Sequence, residues 1–263
     1  MDLGLSGCVA LVAAASRGLG FASAQALAHE GADLALCART AEAAQSAARA
    51  IADQTGRRAI GLRADVRSAD QITEAVASTV RELGRLDILV TNAGGPPPGG
   101  FRDADDAGWT GAFELNVLSA VRLVRAALPH LERSGRGRVI LLSSTSVKQP
   151  IDGLILSNAV RIGVAGLAKS LANELGPARI TVNQVCPGRI DTDRVRELDQ
   201  AIAKRSGSSP EQVRRGHERA IPLGRYGRPE EFGAVVAFLA SQQAAYITGT
   251  TVQVDGGLVR GVF

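Results

Sequence analysis

The chain has 263 residues, which is enough for one sizeable α/β domain and too few for two comfortable ones. Hydrophobic residues make up 45% of the sequence and aromatic residues only 3%, while a net charge of +4 is spread over many short stretches. Nucleic-acid-binding proteins usually cluster basic residues on one face beside aromatic platforms, so this composition argues against a nucleic-acid partner.

The three cysteines, Cys8, Cys37 and Cys186, lie far apart in apolar, strand-like segments. Their odd number argues against a disulfide framework and their spacing argues against a metal site, so we expect buried free thiols in a reducing cytoplasm. The N-terminal sequence does not resemble a signal peptide, and no run of about 18 apolar residues is present. We therefore predict a cytoplasmic protein without a membrane span.

Short apolar segments alternate with longer helical patterns along the whole chain. The predicted strands cover residues 8–13, 33–38, 59–62, 87–91, 138–143, 180–185 and 251–254. The first three predicted helices cover residues 18–30, 41–54 and 68–83; Thr40 caps the second, and Ser68 with Gln71 forms a capping box at the third. Because the strands are continuously hydrophobic, they are expected to be buried on both faces. The alternation predicts a single α/β domain, 1–263, with a Rossmann-type, doubly wound, seven-stranded parallel sheet and helices on both faces.

The turn after the first predicted strand, residues 13–20 (AAASRGLG), joins a strand to a helix and contains Gly18 and Gly20. Free backbone N–H groups and the helix dipole make such a turn suitable for binding an anion. Two glycines alone are also compatible with an ordinary turn. Further motifs follow the later strands: Asp65-Val66, NAGG at 92–95, Asn116 in FELNVLSA, Ser144, PGRIDT at 187–192 and DGG at 255–257.

In this order and spacing, the motifs resemble those of the short-chain dehydrogenase/reductase family, closest to the bacterial members related to 3-oxoacyl-acyl-carrier-protein reductase. The resemblance covers almost the whole chain and implies a dinucleotide cofactor and a homotetramer. It implies that the pyrophosphate lies on Ser16, Arg17, Gly18, Leu19 and Gly20, and the adenine between Asp65 and Val66. It also implies that the ribose region contacts Asn92, Ala93 and Gly94, and the nicotinamide carboxamide contacts Pro187, Gly188, Ile190 and Thr192. The family's loop begins Thr-Gly, whereas Ala13-Ala14 stands here. The added methyl group would slightly alter the approach of the phosphate, but Ala14 can hold the turn if its φ is negative, so we expect cofactor binding to be kept.

The end of the second predicted strand distinguishes the two nicotinamide cofactors. A fold that selects NAD usually places a carboxylate there, on the ribose diol, but this chain has Arg39. With Arg17 of the glycine loop, two guanidiniums could bind a 2′-phosphate, which predicts NADP(H) in preference to NAD(H). The alternative is that both are ordinary solvated arginines, since the chain has 27 Arg and 3 Lys.

The family's catalytic group is an asparagine, a serine, a tyrosine and a lysine, and the resemblance places Asn116 and Ser144 at the first two. Ser157 stands at the tyrosine position and Arg161 at the lysine position, four residues later. In the family the serine orients the carbonyl and the tyrosine donates the proton. The lysine lowers the phenol's pKa and holds the nicotinamide ribose, while the asparagine holds a relay water. Arg161 keeps a cation that can donate to the ribose, although the change to arginine also fits the composition.

A replacement proton donor is Lys148, four residues after Ser144, in a loop that should border the pocket. The alternative is a solvent-facing loop lysine. Of the histidines, only His217 is expected to approach the pocket. The segment 189–228 is expected to form a substrate lid; its ten basic and six acidic residues suit an anionic or acyl-thioester substrate, or simply a solvated amphipathic lid.

The sequence therefore predicts an NADP(H)-dependent oxidoreductase that acts on a small carbonyl or alcohol substrate with an atypical catalytic group. Because the phenol is missing, a non-catalytic NADP(H)-binding sensor or partner subunit remains an alternative. A non-redox reaction on the same scaffold, such as dehydration or isomerisation, is a further alternative.

Overall fold

The computed structural model describes residues 2–262. Its strands are β1 (Val9–Val12), β2 (Asp33–Ala38), β3 (Ala59–Arg63), β4 (Ile88–Thr91), β5 (Arg138–Leu142), β6 (Thr181–Pro187) and β7 (Thr251–Val254). Its helices are α1 (Gly18–His29), α2 (Ala41–Thr55), α3 (Ala69–Leu83), α4 (Asp106–Phe113), α5 (Ser119–Ser134), α6 (Ile155–Leu175), α7 (Asp193–Ser206), α8 (Pro210–Ala220) and α9 (Pro229–Ala240). A π-helical turn, Glu114–Leu118, joins α4 to α5.

All strands pair in parallel, in the order β3-β2-β1-β4-β5-β6-β7. The predicted seven-stranded Rossmann-type sheet is thus confirmed. The chain runs outward from β1 to β3 and then returns to pair β4 with the other side of β1. In open parallel sheets of this kind, ligands bind outside the carboxyl ends of the strands at the point where the order reverses.

Two hydrophobic cores cover the two faces of the sheet and explain the unbroken hydrophobicity of the strands. Leu11, Leu89 and Leu141 face a core that includes residues of α3, α5 and α6. Their neighbours Val12 and Val90 face the other core, which includes residues of α1, α2 and α9. Because successive side chains of a strand point to opposite faces, both sets must be apolar.

The helix α6 qualifies by length and composition as a possible membrane span, together with the turn that follows it. This segment, Ile155–Ala178, has a mean hydropathy of 1.2 over its most apolar window, although the sequence predicted no such segment. Leu156, Val164 and Ala168 of α6 are buried in the protein. Buried positions make up 39% of that window, so packing against the sheet accounts for part of this hydropathy.

Several predicted boundaries and caps differ from the structure. β1 is two residues shorter than predicted, and β6 extends to Pro187 because this residue pairs with Val254 of β7. The predicted capping box at Ser68 is only half formed, since the Gln71 side chain accepts from the Asp65 N–H instead, at 3.0 Å. The equivalent box that opens α8 is complete.

The turn after β1 contains an alanine in the left-handed region. Ala14 has φ +47°, so the condition of a negative φ is not met, although the turn forms. Its carbonyl oxygen accepts a hydrogen bond from Asn92 Nδ2 at 3.2 Å and would lie 2.5 Å from a Cβ placed on Gly20. The turn therefore fixes the backbone of Ala14 from two sides, and the alanine takes a conformation that glycine adopts more easily.

Replacing Ala14 by glycine is expected to raise the free energy of unfolding by ~1 kcal/mol, because the left-handed conformation penalises a Cβ atom. Urea unfolding at one fixed protein concentration measures the change. Ala15→Gly is the matched control: Ala15 is fully buried and has no positive φ, so its loss should destabilise the protein. Equal destabilisation by both changes would show that Ala14 is not strained.

Candidate active site

Asn116 lies in the π-helical turn between α4 and α5, at the carboxyl edge of the sheet. Its side chain is buried, and Nδ2 donates to the Ala112 carbonyl at 3.1 Å. Its Oδ1 atom has no hydrogen-bond partner within residues 2–262. Single π-helical turns are frequent at functional sites because they displace one side chain from the regular helix. Here the turn leaves one buried acceptor free.

A cavity of about 10 Å³ brings Asn116 together with Arg161 of α6. Thr91, Asn92 and Ser119 contribute the other polar side chains of its wall. This volume is about that needed for one water molecule, which requires polar partners on several sides. The cavity fits the water that the sequence assigned to Asn116, and that assignment stays a prediction.

Arg161 is the most deeply buried cation of this region. The residue is 8% exposed, and it makes no ion pair or side-chain hydrogen bond within the described residues. Burial lowers the pKa of its guanidinium to about 10; Arg194 adds to this effect and Cys186 opposes it. The group nevertheless stays charged at neutral pH. The structure thus places this cation in one cavity with Asn116, and its role toward a cofactor stays a prediction.

Ser144 and Cys186 connect the ends of β5 and β6 to this cation. Ser144 Oγ accepts from the Ser146 N–H at 3.1 Å and starts a short 3₁₀ turn, Thr145–Val147. Burial raises the pKa of the Cys186 thiol to about 11, while the Ser144 N–H and the charges of Arg161 and Lys148 act in the opposite direction. Cys186 was predicted only as a buried free thiol, and it is buried. The effect of these two charges on the thiol could not be read from the sequence.

Lys148 follows the 3₁₀ turn, and its backbone N–H donates to the Thr145 carbonyl at 2.9 Å. The residue is exposed, as in the alternative of a solvent-facing loop lysine, and its charge acts on the Cys186 thiol; its place at the pocket stays a prediction. Lys148 makes no ion pair with any residue between 2 and 262. Ser157 lies one turn before Arg161 on α6 and is equally buried, at 8% exposed. The candidate catalytic residues therefore occupy one edge of the sheet.

Tyr226 is held away from any proton-transfer role in the cleft. Its hydroxyl donates to Asp199 Oδ2 at 2.8 Å, and burial followed by this hydrogen bond raises the pKa of the phenol. Arg189 pairs with the other oxygen of Asp199 at 3.0 Å, and His217 Nε2 lies 3.8 Å from it. Burial, followed by the charge of Arg189, lowers the pKa of His217.

His217 therefore belongs to the cluster around Asp199 in the lid. It forms no hydrogen bond or ion pair with Ser144 or Ser157. Sequence reasoning missed Asp199 and Arg189. Arg189 and Asp199 are ten residues apart in the sequence, and both lie further than that from Tyr226. No motif links the three residues. A buried carboxylate in a lid helix leaves no signal in a hydrophobicity pattern.

Six of the ten basic residues of the lid form ion pairs, whereas Lys204, Arg205, Arg215 and Arg219 form none within residues 2–262. Arg214 binds Asp191 at 3.1 Å and Glu218 at 2.9 Å, and Arg225 binds Glu231 at 2.7 Å. These ion pairs fix where the charges lie and leave the segment's excess of four basic residues unchanged. Arg194 of α7 lies 3.8 Å from Glu197 of the same helix and also donates to the Pro96 carbonyl outside the lid at 3.3 Å.

At the other end of the edge, a hollow of about 490 Å³ lies between the glycine turn and α2. Its wall includes Ser16, Arg17, Arg39, Thr40 and Ser46. The predicted pair of guanidiniums is thus brought to one hollow, while Thr40 and Ser46 were not predicted as part of it. Arg39 makes no ion pair within the described residues, and Arg17 is 3.8 Å from an Asp193 carboxylate that is half exposed.

The remaining predicted cofactor residues lie along the same edge. Gly18 has φ +61°, and its Cβ position would lie 3.9 Å from Thr192 Cγ2. Thr192 caps α7 by accepting from the Val195 N–H at 3.4 Å, and Ile190 forms a parallel bridge to Gly227. The others are Leu19 and Gly20 at the start of α1, Val66 after β3, Asn92, Ala93 and Gly94 after β4, and Pro187 and Gly188 at the end of β6.

Asp65 is the one predicted adenine contact with a strong partner of its own. Its carboxylate binds Arg67 at 2.9 Å, and this hydrogen bond holds the pKa of Asp65 below its usual range. Gly20 and Gly188 are required by close packing: a Cβ would meet the Ala14 carbonyl at 2.5 Å in the first case and Asp255 at 2.6 Å in the second. Their roles toward a cofactor stay predictions.

Comparison with known proteins agrees with this geometry. The family model described as Enoyl-(Acyl carrier protein) reductase matches residues 13–259. The 3-oxoacyl-acyl-carrier-protein reductase FabG of Escherichia coli (strain K12) is 36% identical over 256 residues, which cover 97% of this chain and 99% of that protein.

Two solved structures extend the similarity to the whole fold. L-sorbose reductase from Gluconobacter frateurii, complexed with NADPH and L-sorbose, has a TM-score of 0.94 at 32% identity and covers 100% of both chains. A single-residue variant of actinorhodin polyketide ketoreductase with NADPH has a TM-score of 0.92 at 32% identity, with 97% of this chain and 98% of that one covered. The chain therefore belongs to the short-chain dehydrogenase/reductase family and is similar to its 3-oxoacyl-acyl-carrier-protein reductases.

Proposed function

We propose that the protein is an NADP(H)-dependent oxidoreductase that interconverts a small carbonyl compound and its alcohol with an atypical catalytic group. The observation that carries this proposal is the convergence of Asn116, Ser144, Lys148 and Arg161 on the sheet edge that also holds the Arg17–Arg39 hollow. Two solved relatives contain NADPH, and one of these also contains its sugar substrate. NADPH would supply the hydride, and the residues of this chain would bind it and provide the proton.

The Arg17–Arg39 hollow supports a preference for the phosphorylated cofactor. Both guanidiniums are free of a strong carboxylate partner within residues 2–262, and hydroxyls of Ser16 and Thr40 stand beside them. A 2′-phosphate has three acceptor oxygens and a double charge, which suits two forked donors. A ribose diol would leave both charges without a partner and would find no carboxylate in the wall of the hollow.

NADPH is therefore expected to bind at least about tenfold more tightly than NADH, since each charge-assisted contact contributes roughly 1.5–3 kcal/mol. Arg39→Asp should reverse this preference because a carboxylate repels the phosphate and accepts from the diol. Fluorescence titration gives the dissociation constants. Arg49→Asp, an exposed change on the same helix outside the hollow, is the control and should keep the preference. Equal constants for the two cofactors in the wild type would contradict the assignment.

Gly94 tests the path of the cofactor across the edge. A Cβ on Gly94 would meet no protein atom within 4 Å, so Gly94→Ala should leave the melting temperature unchanged. If the cofactor passes this residue, the added methyl must instead weaken NADPH binding, by about tenfold or more. Gly216→Ala on α8 also meets nothing within 4 Å and should change neither property appreciably. Unchanged NADPH affinity in Gly94→Ala would exclude this path.

Proton donation is assigned to Lys148. Ser157 has an aliphatic hydroxyl, which is far less acidic than a phenol, and Arg161 does not take part in proton transfer. Tyr226 is fixed to Asp199. Lys148 combines a transferable proton with a position directly after the short turn that begins at Ser144; the residue is exposed, and its charge acts on the Cys186 thiol. Ser144 would orient the carbonyl, as the family resemblance implies.

Lys148→Ala is expected to abolish NADPH oxidation with carbonyl substrates and to leave NADPH affinity within about threefold, because uniform binding is untouched. Steady-state absorbance with a broad carbonyl panel measures the rate, and fluorescence measures the affinity. Lys204→Ala, in the last turn of α7, is the matched control and should retain activity. Retained activity in Lys148→Ala would move the acid role elsewhere.

Restoring the family pair separates lost acidity from lost geometry. The double change Ser157→Tyr with Arg161→Lys is expected to raise reductase rates by ~10²-fold or more, since that is the usual contribution of a general acid. If the double variant and the wild type both fail to oxidise NADPH with every carbonyl tested, the second candidate function replaces the first. That candidate is a non-catalytic NADP(H)-binding sensor or partner subunit, and the buried Ser157 in place of a phenol favours it.

Assembly and the lid complete the proposal. We propose a single-domain cytoplasmic protein with α7 and α8, within 189–228, as the substrate lid.

We also propose a homotetramer. Phe113 of α4 and Ile162 of α6 are 51% and 56% exposed, and they would be covered in such an assembly. Light scattering at micromolar concentration measures the assembly.

A further inference from the structure

The hollow beside Arg17 and Arg39 is larger than a 2′-phosphate needs. Its volume is about 490 Å³, within the range of roughly 300–1,000 Å³ that is usual for small-molecule sites. Arg17 is the N-cap residue of α1, and Arg39 stands two residues before α2, so both cations lie at one end of the hollow. A phosphate group bound there leaves the space between the two helices without an assigned occupant.

Beyond the two arginines the hollow is a groove with apolar walls. Ala43, Ala47 and Ala50 line it from α2, and their spacing of four and three residues places them on one face of that helix. Phe21 lines it from α1 and packs against the core beneath that helix. Ser46 adds a hydroxyl group. These five residues define the α1–α2 groove.

A hydrogen bond joins the two helices at the end of the groove that lies away from the arginines. Gln25, one turn after Phe21, donates from Nε2 to Oε1 of Gln54, one turn after Ala50, at 2.6 Å. The groove therefore has one cationic end and one neutral end. Between Ala43 and Ala50 the helix rises about 10 Å, which sets the length of the apolar part.

The cationic end is short of negative charge. No carboxylate belongs to the wall of the hollow, and Glu42, the acidic residue in the first turn of α2, lies outside it. Arg39 makes no ion pair within residues 2–262. Arg17 lies 3.8 Å from Asp193, and because both side chains are more than half exposed this pair is weak. Both guanidiniums are therefore available to an anionic group.

Apolar walls beside two cations fit a ligand that has an anionic head and a hydrocarbon body. A polar body would find few partners, since Ser46 carries the only hydrogen-bonding side chain among the five residues of the groove. The row of alanines on α2 favours a linear chain over a ring system. An extended chain of about eight carbon atoms spans about 10 Å, and contact with the walls removes its surface from water.

We propose that the α1–α2 groove binds a medium-chain aliphatic carboxylate. Its head group lies on Arg17 and Arg39, and its chain follows the alanines of α2 toward Ala50. Because the same two arginines are assigned to the 2′-phosphate, the acid competes with NADPH. An aliphatic acid would thereby control how much cofactor the protein holds. Binding of the acid itself does not depend on any reaction of the protein.

Calorimetry with the full-length protein at pH 7, without cofactor, tests the chain and the head group separately. Octanoate should bind at least about tenfold more tightly than butyrate, because only the longer chain extends along the alanines. It should also bind more tightly than octylammonium, which the arginines repel, and than 2-naphthoate, which is not linear. Octanoate that binds no more tightly than any one of these three probes overturns the proposal.

Ala50→Leu fills the inner half of the groove, so it should weaken octanoate binding by about tenfold and leave butyrate binding within about twofold. Ala43→Leu is the second variant and makes the same comparison if the first does not fold. Ala52→Leu, at a partly buried alanine of α2 outside the wall, is the control and should change neither affinity. Arg39→Gln should weaken both acids. Unchanged octanoate affinity in a folded Ala50→Leu or Ala43→Leu protein overturns the proposal.

Competition with the two cofactors tests the position of the head group. Octanoate at ten times its own dissociation constant should raise the apparent dissociation constant of NADPH about tenfold, as measured by fluorescence. NADH lacks the 2′-phosphate and should be affected less than about threefold. If NADPH is bound more tightly than NADH and octanoate weakens both equally, the acid occupies another part of the cleft and the proposal is overturned.

The same data separate this inference from the proposed function. Equal affinities for NADPH and NADH without octanoate would contradict the cofactor assignment, and calorimetry with the groove variants would then decide the acid site alone. Octanoate binding that follows the predicted pattern would keep the groove even if no carbonyl compound is reduced.

Discussion

The pairing of β1 with both β2 and β4 determines where every candidate functional residue of this protein lies. Because β1 is shared, the chain reverses its direction of travel across the sheet at this strand, and the turns after β1 and β4 face one another. The Asn92 side chain, which donates to the Ala14 carbonyl, joins the two turns across the reversal. Around this contact Ala14 has a positive φ, and no space is left for a side chain at Gly20.

The two edges of the sheet use charge in opposite ways. At the amino edge, Asp87 is fully buried and accepts from Val9 N–H, Arg85 and Ser134. Burial alone would raise the pKa of this carboxyl, but these hydrogen bonds outweigh it and hold the pKa below its usual value. Its charge is therefore fully matched within the protein. Charges at this edge stabilise the fold and leave nothing for a ligand to satisfy.

Sequence patterns predicted the fold well because the strands are buried on both faces and the helices alternate with them. The order and spacing of motifs such as Asn92–Gly94 and Ser144 also located the edge that carries the site. Three features escaped prediction for a common reason. The φ of Ala14, the Asp199 cluster in the lid and the position of Cys186 depend on contacts between residues far apart in the chain.

The lid shows why composition was a poor guide to charge. Ten basic and six acidic residues indicated an electropositive surface, but pairing depends on where helices α7 and α8 place each side chain. Arg214 alone contacts Asp191, Glu218 and the ring of Tyr226, whose centroid lies 4.6 Å from its guanidinium carbon. Counting charges gives the lid's excess of four basic residues but not which of its residues are paired.

At the carboxyl edge, by contrast, the important cations lack protein partners. Arg39 lines an open hollow and Arg161 a cavity no larger than one water molecule, so the two differ in what they can accept. A solvated guanidinium costs little to leave unpaired, whereas a buried one is maintained at the expense of stability. Loss of the phenol removes an acid that typically contributes ~10²–10⁴ in rate, yet positioning of the reacting groups can still supply a large effective molarity. If the site had lost all function, replacing the buried cation by an apolar residue would stabilise the protein. A site that lacks the phenol but keeps this costly cation is therefore better explained by a ligand that it still binds than by loss of function.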